Sequence, residues 1–253
     1  MLSYCIIKVK VKVIIYPAID IRDGKCVRLI KGDYSQETIY GENPADMAVR
    51  WEAEGARILH VVDLDAAKSG LPSNRMAIER ILKEVRIPVQ LGGGIREDKT
   101  IELYTNLGVS RLVVGTRAIK DPEWFALMAE KYPQRLVVGI DAMSGDVATD
   151  GWLNSSGVSP IEIAQRLDKL PIAGIVYTDI AKDGMLQGPN IEAMAEMAEA
   201  INCPVVASGG VTQVKDVSDL MATKVSGCII GRALYEGRLS LRDALAAANI
   251  GSG

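Results

Sequence analysis

Short β-branched runs alternate with longer amphipathic stretches from one end of the chain to the other, the pattern of a parallel α/β fold. The strand-like runs are Ile14 to Asp20, Ile58 to Asp63, Val89 to Leu91, Arg111 to Val114, Leu136 to Asp141, Gly174 to Thr178, Val205 to Ala207 and Gly227 to Ile230. Helical periodicity falls between them, at Pro44 to Glu54, Asn74 to Glu84, Glu97 to Leu107, Pro122 to Lys131, Pro160 to Leu167, Asn190 to Ala200, Val214 to Met221 and Leu241 to Ala248. Pro44, Pro122 and Pro160 open their stretches where a first helical turn accepts proline. Eight strand and helix pairs predict a single (β/α)₈ TIM barrel over residues 14–250, since a doubly wound sheet more often has five or six strands.

The two halves of the chain repeat one another, as expected of a doubled half-barrel. Ile19-Asp20 with Gly24 returns as Ile140-Asp141 with Gly145, an offset of 141 − 20 = 121. The string Asp65-Ala66-Ala67-Lys68-Ser69-Gly70 is echoed by Asp179-Ile180-Ala181-Lys182-Asp183-Gly184, an offset of 179 − 65 = 114. A two-residue insertion then sets a register of 116, which pairs Asn74 with Asn190, Pro88-Val89 with Pro204-Val205, Gly93-Gly94-Ile95 with Gly209-Gly210-Val211, and Gly115 with Gly231. Residues 1–13 end in alternating Ile7-Lys8-Val9-Lys10-Val11-Lys12-Val13, which reads as an added edge strand or a disordered leader. The tail 251–253 is Gly-Ser-Gly and is set aside from the fold.

Composition narrows the function. With 48% hydrophobic and 24% charged residues the chain is globular rather than disordered. A net charge of -3, with basic residues scattered, gives no electrostatic footprint for nucleic acid. The apolar runs are shorter than the ~20 residues of a membrane span. Cys5, Cys26, Cys203 and Cys228 are not closely paired, and His60 is the sole histidine, so no Cys/His zinc set can be assembled. The cysteines read as reduced, buried apolar residues of a cytoplasmic protein.

Barrel active sites form at the C-terminal strand ends, which singles out the polar residues closing each apolar run. Asp20 and Asp141 close the first and fifth strands and would face each other across the mouth, one able to remove a proton while the other delivers one. A capping role in the next loop is the alternative for each. Two glycine-rich sets, Gly92-Gly93-Gly94 with Gly115-Thr116 and Ser208-Gly209-Gly210 with Gly231-Arg232, follow strands directly. There they would leave backbone N–H groups open to phosphate, or simply form tight turns. Two such cradles across one mouth imply a substrate with a phosphate at each end. Thr178 could hydrogen-bond a catalytic carboxylate or the substrate and Asp179 could help with proton transfer, or either could cap its loop; Asp63 and Asp65 are further polar groups at the rim, and Trp152 could stack on a flat heterocycle or merely pack locally. His60, in mid-strand, reads as a core residue.

Several strings then become recognisable: Pro17-Ala18-Ile19-Asp20, Gly24-Lys25-Cys26-Val27-Arg28-Leu29, Gly32-Asp33 and His60-Val61-Val62-Asp63-Leu64-Asp65. With them go Val89-Gln90-Leu91-Gly92-Gly93-Gly94-Ile95-Arg96, Gly139-Ile140-Asp141-Ala142, Gly151-Trp152, Tyr177-Thr178-Asp179-Ile180 and Ala207-Ser208-Gly209-Gly210-Val211. From about Ile15 to Ala247 the chain resembles the ProFAR isomerases of histidine biosynthesis. The resemblance implies a (β/α)₈ barrel performing an Amadori rearrangement of a bisphosphorylated aminoaldose to an aminoketose. Asp20 would be the general base at C2', Asp141 the general acid opening the ribose ring, and Thr178 a residue important for catalysis. It implies no metal or redox cofactor, and a monomer. Asp141 must carry a proton to act, so burial or nearby phosphate should raise its pKa.

The chain departs from the family pattern at Met143-Ser144, where a basic and an acidic residue are frequent, and at Ala66, a common glycine. The sister cyclase typically ends its first strand Pro-Cys-Leu-Asp, against Pro17-Ala18-Ile19-Asp20 here, which favours the isomerase. A dual-substrate isomerase that also acts on phosphoribosylanthranilate, and a non-catalytic phosphosugar-binding barrel, are the other readings.

Overall fold

The computed structural model describes residues 13–249 except 31, 144, 150, 153 and 156, so the expectations for the leader, Cys5, Ser144 and the tail lie outside the described residues. Eight parallel strands close on themselves: β1 (Ile14–Arg22), β4 (Leu59–Asp63), β5 (Val89–Gly92), β6 (Arg111–Val114), β7 (Leu136–Met143), β10 (Gly174–Asp179), β11 (Val205–Ser208) and β12 (Gly227–Ile230). The seam is made by β12 against β1, with Ile15 opposite Cys228, and β10 against β7 joins the remaining ends, with Thr178 opposite Asp141. The protein is therefore an α/β (β/α)₈ TIM barrel, as predicted. The eight predicted helices are present as α1 (Pro44–Ala53), α3 (Arg75–Glu84), α4 (Asp98–Asn106), α6 (Pro122–Lys131), α7 (Pro160–Leu167), α8 (Ile191–Ala200), α9 (Val214–Met221) and α11 (Leu241–Asn249).

Strand alternation separates two apolar layers. Leu59, Val61, Val89 and Leu91 point outward into the main core under the helices, where Trp51, Ile78 and Ile101 are fully buried. Each such side chain contributes roughly 1.5–3 kcal/mol on leaving water. The inward positions form a smaller cluster of Tyr16, Ala18, Ile58, Val137, Val176, Val206 and Ile229, which fills the barrel below the mouth. Cys26 and Cys228 are buried as expected, but Cys203 keeps partial exposure after α8.

The elements that the apolar pattern did not predict all lie at the C-terminal strand ends. A β-ribbon, β2 (Lys25–Ile30) and β3 (Asp33–Gly41), doubles back on β1 through the two-residue turn Asp23-Gly24, both with positive φ, 48° and 75°. That is the type I′ geometry that Asp-Gly favours. β8 (Asp146–Thr149) pairs antiparallel with β7 and is followed by β9 (Asn154–Ser155). The two hairpins are in one register: Asp20 pairs Val27 and Asp141 pairs Ala148, so both members are displaced by 121. Short helices α2 (Leu64–Ser69), α5 (Thr116–Lys120) and α10 (Arg232–Tyr235) begin where β4, β6 and β12 end.

Candidate active site

A cavity of about 320 Å³ opens at the C-terminal ends of the strands, and both predicted aspartates line it. Asp20 is drawn to Arg28, whose Nη1 donates to Oδ2 at 2.6 Å, with the two side chains only 14% and 12% exposed. Asp141 instead accepts neutral donors, Trp152 Nε1 at 2.7 Å and the Thr178 side chain. Burial raises the Asp141 pKa against those two hydrogen bonds. Thr178 owes its place to the register that sets it opposite Asp141 on the adjacent strand. Trp152 owes its place to a backbone in the left-handed region, φ 72°, rare for a large side chain. Its ring packs on Gly32 of the β2–β3 turn, where a Cβ would lie 2.8 Å from the indole.

The glycine sets occupy opposite walls of the same cavity. Gly92, Gly93 and Gly94 face it with Gly115 and Thr116 on one side, and Ser208, Gly209 and Gly210 with Gly231 and Arg232 on the other. Their backbones explain the glycines before any ligand is considered: Gly93 and Gly209 have φ 99° and 94°. A Cβ on Gly209 would sit 2.8 Å from the Asp179 carbonyl oxygen, and one on Gly93 would strike that of Asp63. Gly115 and Gly231 stand at the N-caps of α5 and α10 and bring no side-chain oxygen to the first-turn N–H groups. Arg232 spans the second wall, donating to the Gly184 carbonyl at 2.7 Å while ion-paired with Glu236.

The same contacts correct the repeat. Asp179 accepts from Ala181 N at 2.9 Å and Asn190 Nδ2 at 2.8 Å. Asp63 accepts from Ala66 N at 2.9 Å and Asn74 Nδ2 at 2.7 Å. Asp63 and Asp179 are thus equivalent clamps at an offset of 179 − 63 = 116, and the string match of Asp65 to Asp179 is two residues out of register. Asp179 is engaged with its own loop and does not line the cavity, the arrangement of the capping alternative. His60 is more than a core residue: it lines the cavity floor, with Nδ1 3.0 Å from Gln90 Nε2. Burial, with Arg28 nearby, lowers its pKa to about 3, so it is neutral.

Residues 14–240 match the family described as histidine biosynthesis protein. The chain belongs to that family. Over 232 residues it is 54% identical to the 1-(5-phosphoribosyl)-5-((5-phosphoribosylamino)methylideneamino) imidazole-4-carboxamide isomerase of Rhodopirellula baltica, covering 90% of this chain and 92% of the relative. The isomerase of the same name from Geobacter sulfurreducens is 50% identical over 236 residues, covering 92% of this chain and 97% of its own length. That of Trichlorobacter lovleyi is 48% identical over 235 residues, covering 92% and 96%.

Within this histidine biosynthesis barrel, two residues of the site were not singled out from the sequence. Arg28, the partner of Asp20, lies on β2 inside a quoted string but outside every predicted strand. Asp183 follows the Asp179 clamp and lines the cavity. Burial pushes its pKa from 3.8 up to about 6; Arg28 opposes that rise, and Asp20 and Asp141 add to it. The local signal for the first was the Asp23-Gly24 turn, which announces a hairpin. For the second it was a further carboxylate in the loop after a strand end.

Proposed function

We propose that this chain performs the reaction for which its relatives are named, isomerising the aminoaldose ProFAR to the aminoketose in histidine biosynthesis. The observation that carries the reading is the pair of carboxyl groups lining one cavity in opposite settings. Asp20 is ion-paired with Arg28, and Asp141 is half-buried among neutral donors with its pKa raised. The protonated Asp141 gives its proton to the ribose ring oxygen as the C1'–O bond breaks, leaving a protonated imine at C1'. Its positive charge acidifies C2'–H. The Asp20 carboxylate takes that proton, and the C–H electron pair becomes the C1'=C2' bond of an enaminol. The enol then loses its O–H proton while C1' gains one, which gives the ketone. Acid and base steps of this kind each contribute roughly 10²–10⁴-fold. Asp183, with its pKa near 6, is a second carboxyl able to hold the donated proton.

The two glycine walls would take the two phosphates through backbone N–H groups, and Trp152 would orient Asp141 while bounding the mouth. No helix among the described residues is long and apolar enough to cross a membrane. We take the enzyme to act in the cytoplasm, as a monomer, with its acid–base chemistry supplied by side chains. The test is turnover of purified protein on ProFAR, read by absorbance after coupling to the cyclase and glutaminase. Conversion is expected, with Asp20→Asn slowing it by at least roughly 10³-fold. A wild-type protein that does not convert ProFAR would overturn the reading.

A further inference from the structure

Tyr235 ends α10, the helix that begins at the second glycine wall, and it lies half-buried against Arg28 and Cys26, beside the proposed base. Its hydroxyl donates to the Ala18 carbonyl at 2.9 Å, two residues before Asp20 on β1. With that hydrogen committed, the Cys26 thiol, 3.3 Å from Tyr235 Oη, is the donor in their contact. Trp51 meets the ring edge-on with centroids 5.8 Å apart, and Tyr40 lies tilted at 4.8 Å, so the ring has little freedom to turn. The Arg28 guanidinium carbon lies 5.3 Å from the ring centroid. Gly231, at the other end of α10, borders the same guanidinium so closely that a Cβ there would collide with it.

Arg28 therefore depends on α10 for its placement. Its Nη1 holds Asp20 and its Nη2 reaches the Ala18 carbonyl at 3.3 Å, but its buried Nε has no hydrogen-bond partner among the described residues. A guanidinium held by two hydrogen bonds on one edge can still swing about that edge, and an aromatic ring beside it removes this freedom. We infer that Tyr235 is a positioning residue for the isomerisation: its ring holds the Arg28 guanidinium in place against Asp20. One short helix thus links the wall proposed for a phosphate to the orientation of the base. The inference rests on the isomerase reading above.

The test keeps shape and varies only the attraction between ring and cation. Phenylalanine and its mono-, di- and trifluorinated forms are introduced at position 235, and kcat and KM on ProFAR are measured beside the wild type, with melting temperature as a control on folding. Fluorine drains the negative face of the ring while changing its volume little. We expect kcat to fall stepwise along the series, roughly tenfold in all, as for loss of a desolvated cation–π contact. KM should stay within about twofold along the series, with Tyr235→Phe as its reference, since that substitution also removes the hydroxyl's bond to the Ala18 carbonyl. A flat series with an active wild type would overturn the inference alone. So would a series that raises KM and leaves kcat unchanged, since α10 would then serve only the phosphate wall. No turnover by the wild type would instead overturn the isomerase reading on which it rests.

Discussion

The Asp183→Asn substitution should make the protein more stable and a poorer enzyme, by amounts that depend on pH. Asp183 titrates near 6 in the fold and near 3.8 when free, because the cavity wall disfavours its charge. The folded state therefore holds a proton that the unfolded state has released throughout the interval between those values. Stability contributed by this group is complete below about 3.8 and is lost as the pH rises through 6. About two pKa units at 1.36 kcal/mol each give roughly 3 kcal/mol, and residual exposure of the side chain to water reduces this to about 1–3 kcal/mol. Asparagine has the shape of the protonated acid and never takes the charge. Urea titrations of both proteins at unit steps from pH 4 to 8 should show the variant's advantage growing between pH 4 and 6 and constant above. Turnover should fall over the whole range. An advantage that does not change with pH would refute the assignment of a strained carboxylate at this position.

Three further outcomes follow from the same geometry. Trp152→Phe removes the donor to Asp141 Oδ2 while keeping an aromatic ring over Gly32, and it should lower kcat roughly 10–100-fold in steady-state assays, the worth of one hydrogen bond to the carboxylate that Asp141 becomes as it gives up its proton. Gly209→Ala forces a Cβ toward the Asp179 carbonyl at positive φ, so both KM and resistance to urea should suffer, whereas unchanged values would show that the loop has room. Asn74→Ala strips the Asp63 clamp and leaves the Gly24 N–H without its side-chain acceptor. A loss of about 3 kcal/mol of unfolding free energy is expected by denaturant titration.

The barrel was legible because its eight strands are short β-branched runs with apolar residues on both faces, which no solvent-facing segment imitates. The β2–β3 ribbon was not, because Asp33-Tyr34-Ser35-Gln36-Glu37-Thr38 lies largely in solvent and carries no apolar stripe. Its presence was nonetheless implied by the distance from Asp20 to Pro44, far longer than the about 2–6 residues of an ordinary βα connection. Asp20, Asp141 and the glycine walls, which line one cavity, could be picked out because they close strands, and strand ends are where the topology converges. Arg28 and Asp183 matter through tertiary neighbours, the one across a hairpin and the other across the mouth, and a linear pattern does not record such distances. Asp179 was misplaced because its string resembles that of Asp65, whereas the fold aligns strand ends rather than strings.

The matched hairpins at the head of each half carry a consequence for the direction of the chemistry. With β1–β2 and β7–β8 in one register, the position occupied by Arg28 is occupied 121 residues later by Thr149. The scaffold offers the same seat on both walls and is itself indifferent to which wall donates and which accepts. What differs is what meets the two carboxyl groups, the Arg28 guanidinium at Asp20 and the neutral donors Trp152 and Thr178 at Asp141. On the proposed mechanism, the proton would enter the substrate from the half that lacks the cation and leave it toward the half that carries one.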